Sequence, residues 1–320
     1  MARNFASHAV LGPQNTLGVD PMEQRRTEMT KSLGIETLAQ PEEAFARPDI
    51  TGVVIATPVP THFALASAAF AAGKHVLVTK PPTPTLHELE ILVAQAASAG
   101  LVFMLDSTFV YSEAVRAARV ALAGGAVPDV GFVQSLRWGS DLRLQPLSRI
   151  KATKLALGVD VLQDLVFHDL AILRFLFPDV AMKVGAVHRS NSLARYTPPE
   201  FAATMCDTAS VWLESDRFPV HINLSWVLPE RRRELVVAGP EVQLVYDDMK
   251  TEGKLTLFRT EDKQESAVPH GNREPLSLVA DHFLECIASR CAPLTDGHYM
   301  LDLMALYEAV QRFPRNTRSV

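Results

Sequence analysis

The sequence predicts an α/β protein in two parts: a doubly wound parallel sheet, then an α+β domain built on a largely antiparallel sheet. Three observations carry this. The stretch from Thr51 to Pro82, TGVVIATPVPTHFALASAAFAAGKHVLVTKPP, reads as strand, helix, strand at the spacing of a parallel crossover. Segments of β and α type alternate through the first hundred residues. From Val184 to Phe258 the pattern is mostly strands, flanked by helices, as in an α+β domain. At 320 residues the chain suits two modest domains, residues 1–108 and 109–320.

Met1 to His8 reads as a fragment of amphipathic helix. Thr16 to Asp20 looks like a strand that ends on an acid before Pro21. Met22–Leu33 is helical by composition and stops at Gly34, a short extended piece follows at Ile35–Leu38, and Pro41 is a good first residue for a turn of helix to Ala46. Val53–Val54–Ile55 is β-branched throughout, as a strand buried on both faces should be. Thr61–Ala72 is long enough for a helix, and Gly73 stops it. His75–Val78 is a second buried strand, Leu86–Ala99 a helix, and Leu101–Met104 a third strand. Tyr111–Ala123 is helical, Val130–Trp138 a strand, and an irregular polar segment leads to a helix at Val159–Phe177. Strands follow at Ala209–Leu213, Val220–Trp226, Glu234–Ala238, Gln243–Tyr246 and Leu255–Phe258. Helices return at Ser277–Ser289 and Tyr299–Phe313.

Composition narrows the function classes. With 48% apolar and 21% charged residues, this is the balance of an ordinary globular protein. Its formal charge of −5 offers no field for nucleic acid or an anionic membrane. No apolar window is long enough to span a bilayer, and the N-terminus lacks the apolar core of a secretory signal. Three cysteines, Cys206, Cys286 and Cys291, form no paired framework, which points to a reducing cytoplasm. Without a second pair or a histidine cluster, a metal site is not expected, and Cys286 and Cys291 read as small apolar packing residues.

In open α/β sheets, ligands sit beyond the carboxyl ends of the strands. Here those ends carry Thr57–Pro58 and Thr79–Lys80–Pro81. Lys80 is either a solvated lysine or a group that polarises a substrate hydroxyl or carbonyl. Asp164 and His168 lie four apart in QDLVFHDLAIL, so a helix stacks them on one face. A carboxylate that orients an imidazole makes a general base; the alternative is a polar stripe with a structural histidine. Asp169 points off that face. Arg231–Arg232–Arg233 reads as a solvated turn, and His221, Asn223 and Ser225 as the polar face of a half-buried strand.

ATPVPTHF, GKHVLVTKP and DLVFHDL, in this order, resemble the glucose–fructose oxidoreductase/inositol dehydrogenase/rhizopine catabolism family of NAD(P)-dependent oxidoreductases. HINLSWVLPERRRELVVAG with LVYDDM resembles its nucleotide-sugar 3-dehydrogenase branch. The resemblance implies a Rossmann-like domain followed by a sheet domain, with hydride exchanged between a sugar carbon and nicotinamide. It gives the catalytic roles to Lys80, Asp164 and His168. It puts Asp20, Thr57, Pro58, His62, Thr79 and Lys80 on the cofactor side, and Tyr111, Lys80 and His168 on the substrate side. Asp20 would take the ribose hydroxyls and favours NAD over NADP, with Arg25 and Arg26 close enough to blur the preference.

Two departures stand out. Thr79 replaces the glutamate that normally precedes the lysine. The sequence contains no G-x-G-x-x-G, so on this alignment the first strand and glycine turn are missing and the chain begins inside the following helix. The strands bearing Val19 and Val54 are then expected to lack a shared partner, and NAD(H) binding to be weak. Three functions follow: a sugar or nucleotide-sugar oxidoreductase; a binding or regulatory protein that kept the fold; or a lyase or isomerase using Lys80 and His168. A homo-oligomer joined through the C-terminal sheet, which carries Trp212, Trp226, Tyr246 and Phe258, is expected as well.

Overall fold

The computed structural model describes residues 2–9, 11–139, 159–191, 206–228, 230–261 and 263–314. Nearly all of the polar segment between Trp138 and Val159 therefore lies outside the described residues. The chain forms two compact units, Met1–Ser112 with Arg273–Met304, and Glu113–Asn272 with Ala305–Val320.

The first unit is the parallel one. It contains α1 (Ala2–Ala6), β1 (Leu17–Val19), α2 (Glu23–Leu33), β2 (Glu36–Leu38), α3 (Pro41–Phe45), β3 (Gly52–Ile55), α4 (His62–Ala71), β4 (His75–Thr79), α5 (Leu86–Ala99) and β5 (Phe103–Asp106). β3, β4 and β5 form a parallel sheet in which Val54 faces Leu77 and Leu77 faces Met104. Leu77, Met104, Leu89 and Leu92 are fully buried; each such side chain contributes about 1.5–3 kcal/mol of hydrophobic stabilisation. Thr85 and Glu88 close a capping box at the start of α5, and Gly100 (φ 63°) ends it in the left-handed conformation. That ending consumes Leu101, whose N–H returns to Ala96 O (2.9 Å), so β5 starts two residues later than the apolar run does.

β1 and β2 form a separate two-stranded parallel sheet. Among the described residues, β1 and β3 thus share no partner strand, in line with the expectation for the strands bearing Val19 and Val54. Further along the chain, α8 (Pro275–Ser289) also belongs to the first unit, although the sequence reading put all of 109–320 in the second domain. The reason is packing. A Cβ on Gly52 would lie 3.0 Å from Ile287 Cδ1 and 3.2 Å from Phe283 Cε1, so the bare glycine lets α8 sit against β3.

The second unit holds α6 (Glu113–Ala123), β6 (Phe132–Trp138), α7 (Val161–Leu176), β7 (Met182–Ser190), β8 (Thr208–Ser215), β9 (Val220–Ser225), β10 (Arg232–Ala238), β11 (Val242–Asp247), β12 (Leu255–Arg259) and β13 (Gln264–Ala267). The last helix, α9 (Gly297–Arg312), is shared between the units along its length. The eight strands make one sheet in the order β13-β12-β11-β10-β6-β9-β8-β7, antiparallel except for the β6–β9 pair. α7 packs on β8 and β9, and α6 on β11 and β12. This buries Ile222, Leu224, Leu235, Leu244 and Tyr246 on one face.

The opposite face carries a polar ladder. Trp138 Nε1–H donates to Asn223 Oδ1 (2.6 Å) and Asn223 Nδ2–H to Ser210 Oγ (2.9 Å). Trp212, 43% exposed, stacks on His221 at 4.2 Å between centroids. Trp226 and Tyr246, by contrast, are buried, so of the aromatics expected on this sheet only Trp212 is left strongly exposed.

Candidate active site

Two turns at the carboxyl ends of β3 and β4 carry most of the cofactor-side residues. After β3, Thr57 and Pro58 lead into a short 3-10 turn, Val59–Thr61. The Thr61 hydroxyl donates to Pro58 O (2.8 Å), and the Thr57 hydroxyl therefore donates to Thr61 (2.7 Å). After β4, Thr79 donates its hydroxyl to Ile55 O (3.3 Å), which ties the two strand ends together. Lys80 follows, half-buried, with a cis bond to Pro81.

His62 joins the two turns. It is fully buried, with Nε2 2.8 Å from Thr57 O and Nδ1 3.1 Å from Pro81 O. Both nitrogens are engaged by backbone carbonyls, so this ring shapes the cofactor-side loops and has no surface left for a ligand. The expectation that His62 contacts cofactor is corrected to that extent. Tyr111 needs a similar correction as a substrate-binding residue. It is fully buried, its hydroxyl shares a hydrogen bond with Thr295 Oγ1 (3.1 Å), and burial drives the phenol far above its ordinary pKa. Tyr111 is a core residue of the first unit.

Sequence reasoning missed Asp106. It ends β5, directly beside Thr79 in the parallel ladder, and is 8% exposed. Its carboxyl is raised by burial and partly relieved by the Thr108 hydroxyl at 2.9 Å. A carboxyl group thus does stand at this rim, one strand over from the position where Thr79 replaces the usual glutamate. The only signal was an acid at a strand's carboxyl end, the same signal that singled out Asp20.

Asp20 follows β1 directly. Its Oδ1 accepts the Met22 N–H (2.8 Å), and Oδ2 lies 3.5 Å from Arg25 Nη1. Arg26 is committed elsewhere, donating to Asp20 O (2.8 Å) and Pro21 O (2.9 Å). Of the two arginines, Arg25 faces the Asp20 carboxylate and Arg26 faces backbone carbonyls.

In the second unit, Asp160 and Gln163 close a capping box that fixes the start of α7. Asp164 and His168 fall one above the other along the helix, both half-buried. Trp226 Nε1–H donates to Asp164 Oδ2 (3.3 Å), so the strand end after β9 holds that carboxylate. Tyr307 is close by: burial first, then the Asp160 and Asp164 carboxylates, push its phenol up to about 12. Asp169 points off that face, as expected; it is buried and meets Arg137 Nε (2.8 Å) and Ser135 Oγ (2.7 Å).

Known proteins bear on this arrangement. Residues 7–107 match the family described as "Oxidoreductase family, NAD-binding Rossmann fold". The uncharacterized oxidoreductase YdgJ of Escherichia coli is 37% identical over 101 residues, which is 32% of this chain and 29% of YdgJ. D-apiose dehydrogenase of Paraburkholderia graminis is 27% identical over 94% of this chain and 81% of its own. UDP-N-acetylglucosamine 3-dehydrogenase of Acidithiobacillus ferrooxidans is 25% identical over 87% of this chain and 82% of its own. A solved structure of that dehydrogenase superposes with a TM-score of 0.76 over 97% of this chain and 91% of the other, at 21% identity. A parallel-sheet unit with turns at its strand ends and a mixed-sheet unit with a buried helix make a two-part architecture whose first part is of the Rossmann type. Residues 7–107 therefore match the NAD-binding Rossmann part of that oxidoreductase family, in line with the resemblance read from the sequence.

Proposed function

We propose that the protein is an NAD(P)-dependent oxidoreductase acting on a CH–OH carbon of a sugar, a nucleotide sugar or a related intermediate. The observation that carries this is the pair of turns at the ends of β3 and β4, pinned to each other by His62, with Lys80 at their rim. The names of the similar dehydrogenases support the substrate class. Asp20, Thr57, Thr79 and Lys80 fit the ribose and nicotinamide ends of a dinucleotide in residue type and in place at the strand ends. A bound nicotinamide supplies the hydride acceptor or donor. The roles of the chain's own groups are those the resemblance gives. His168, held by the helix that Asp164 shares, takes or returns the hydroxyl proton. Lys80 donates a hydrogen bond to the reacting oxygen.

The test is absorbance of reduced nicotinamide with a panel of free and UDP-linked sugars, alongside calorimetry with NAD(H) and NADP(H). We expect turnover on at least one sugar, with NAD preferred. The 320-residue chain is expected to bind NAD(H) weakly, because none of its glycines builds a G-x-G-x-x-G cradle for the pyrophosphate. Micromolar or tighter binding would show that other backbone amides hold the phosphates. Binding without turnover on any sugar would favour the reading of a non-redox protein that kept the fold.

The open sheet face is proposed as a homo-oligomer contact. Among the described residues helices pack on only the other face, and the face that carries Trp212, 43% exposed, also carries half-buried Trp138 and Phe258 on other strands. Light scattering should give at least a dimer mass at micromolar concentration. Trp212→Glu should lower that mass, and a monomeric native protein would refute the contact. Among the described residues no helix is long and apolar enough to cross a membrane.

A further inference from the structure

The end of α8 brings together two cysteines that the sequence left apart. Arg290 takes a left-handed conformation (φ 55°), unusual for a residue other than glycine, and turns the chain back on the helix. Cys291 Sγ comes to 3.1 Å from Cys286 Sγ. The two differ sharply in environment: Cys286 is fully buried and Cys291 exposed. The expectation that both serve as apolar packing therefore fails for Cys291. One helical turn before Cys286 stands His282, with Nε2 3.6 Å from Cys286 Sγ. The Leu294 N–H points at that Nε2 (3.1 Å), which assigns the neutral ring's proton to Nδ1, on the side of the Glu285 carboxylate at 3.4 Å.

We propose that Cys286 and Cys291 are a dithiol that a peroxide converts reversibly into a disulfide. Exposed Cys291 is the sulfur a peroxide can reach. Its thiolate attacks one peroxide oxygen, the O–O bond breaks, and the displaced oxygen leaves as water after taking a proton; Cys291 becomes a sulfenic acid. Cys286 then attacks the Cys291 sulfur, and the S–O bond breaks as the S–S bond forms. The Cys286 proton goes to the leaving hydroxide, giving a second water. Each sulfur loses one electron and the peroxide gains two. Burial, then the adjacent Cys291, push the Cys286 thiol up to about 12, which together with its burial leaves exposed Cys291 as the first target of the oxidant. The sulfurs must close by roughly 1 Å to reach bonding distance. The bond would tie the end of α8 to the loop that Thr295 anchors on β5, through Thr295 Oγ1–H to Leu105 O (2.7 Å) and Leu105 N–H to Thr295 O (3.1 Å).

The full chain treated with equimolar hydrogen peroxide, then alkylated under denaturing conditions and mapped by mass, decides the matter. Free thiols should fall from three to one, with the loss of two hydrogens on the segment holding Cys286 and Cys291, and dithiothreitol should restore them. Cys206 is the internal control, since it is buried and donates to Thr208 O (3.2 Å). In Cys286→Ser, oxidation should stop at a Cys291 sulfenic acid that dimedone traps. In Cys291→Ser, Cys286 should stay unoxidised. The proposal is overturned if wild-type Cys291 proceeds to sulfinic acid or bridges to a second chain while Cys286 remains alkylatable.

Discussion

Replacing His168 with Asn is expected to lower kcat/KM by on the order of a hundredfold or more on any sugar found to be a substrate, with the fold unchanged. The argument starts from the helix. A capping box at Asp160 and Gln163 fixes where α7 begins, and therefore which residues share a face. Asp164 and His168 share one, and Trp226 Nε1–H holds Asp164 from the neighbouring strand end. The rest of the helix is anchored deeply, with Val166, Phe167 and Leu170 buried. Asn keeps a polar side chain of similar length but cannot accept and return a proton near neutral pH, so the loss should appear mainly in kcat. Lys80→Ala should be comparably damaging. Its effect should fall on KM as well, if the ammonium also holds the substrate oxygen in the ground state. Circular dichroism must match wild type in both variants. A near-normal rate in His168→Asn would remove His168 as the base.

The fold was legible where local chemistry and tertiary context agree. α5 was read at its observed limits because Thr85, Glu88 and Gly100 punctuate it. β3 and β4 stood out as β-branched apolar runs. What was not legible depends on contacts distant in sequence. β13, Gln-Glu-Ser-Ala, is exposed at every residue and is a strand only because β12 offers it a ladder. α8 joins the first unit because Gly52 leaves room for Phe283 and Ile287, some 230 positions away in sequence. At the candidate site, the strand-end rule singled out Thr57, Pro58, Thr79 and Lys80 as candidates, helical spacing singled out Asp164 and His168, and the resemblance added Asp20, His62 and Tyr111. Neither rule reports depth. His62 and Tyr111 have the right residue types in the right places, but their polar atoms are consumed by Thr57, Pro81 and Thr295. Asp106 escaped because only the β4–β5 register sets it beside Thr79.

Asp169→Ala is expected to cost the second unit about 3–5 kcal/mol of stability. Asp169 is 1% exposed and Arg137 6%, so the ion pair between α7 and β6 is cut off from water. Arg137 Nε–H donates to Oδ2 at 2.8 Å and the Ser135 hydroxyl to Oδ1 at 2.7 Å, so both carboxylate oxygens are satisfied. Removing the carboxylate takes away the acceptor that the buried Arg137 guanidinium and the Ser135 hydroxyl share, in a site poor in water. That penalty exceeds what the intact pair contributes, because bringing both charges out of water was itself costly. It follows that replacing both partners should be milder than replacing one. Asp169→Leu with Arg137→Met should recover most of the stability lost in Asp169→Ala. Urea denaturation followed by tryptophan fluorescence suits the measurement, since the three tryptophans, Trp138, Trp212 and Trp226, all belong to the second unit. His168 lies next in sequence, about 100° round the helix, and is half-buried rather than buried, so His168→Asn should move the same transition less than Asp169→Ala does. If Asp169→Ala unfolds at the wild-type urea concentration, Arg137 has found another partner and the pair does not clamp α7 to the sheet.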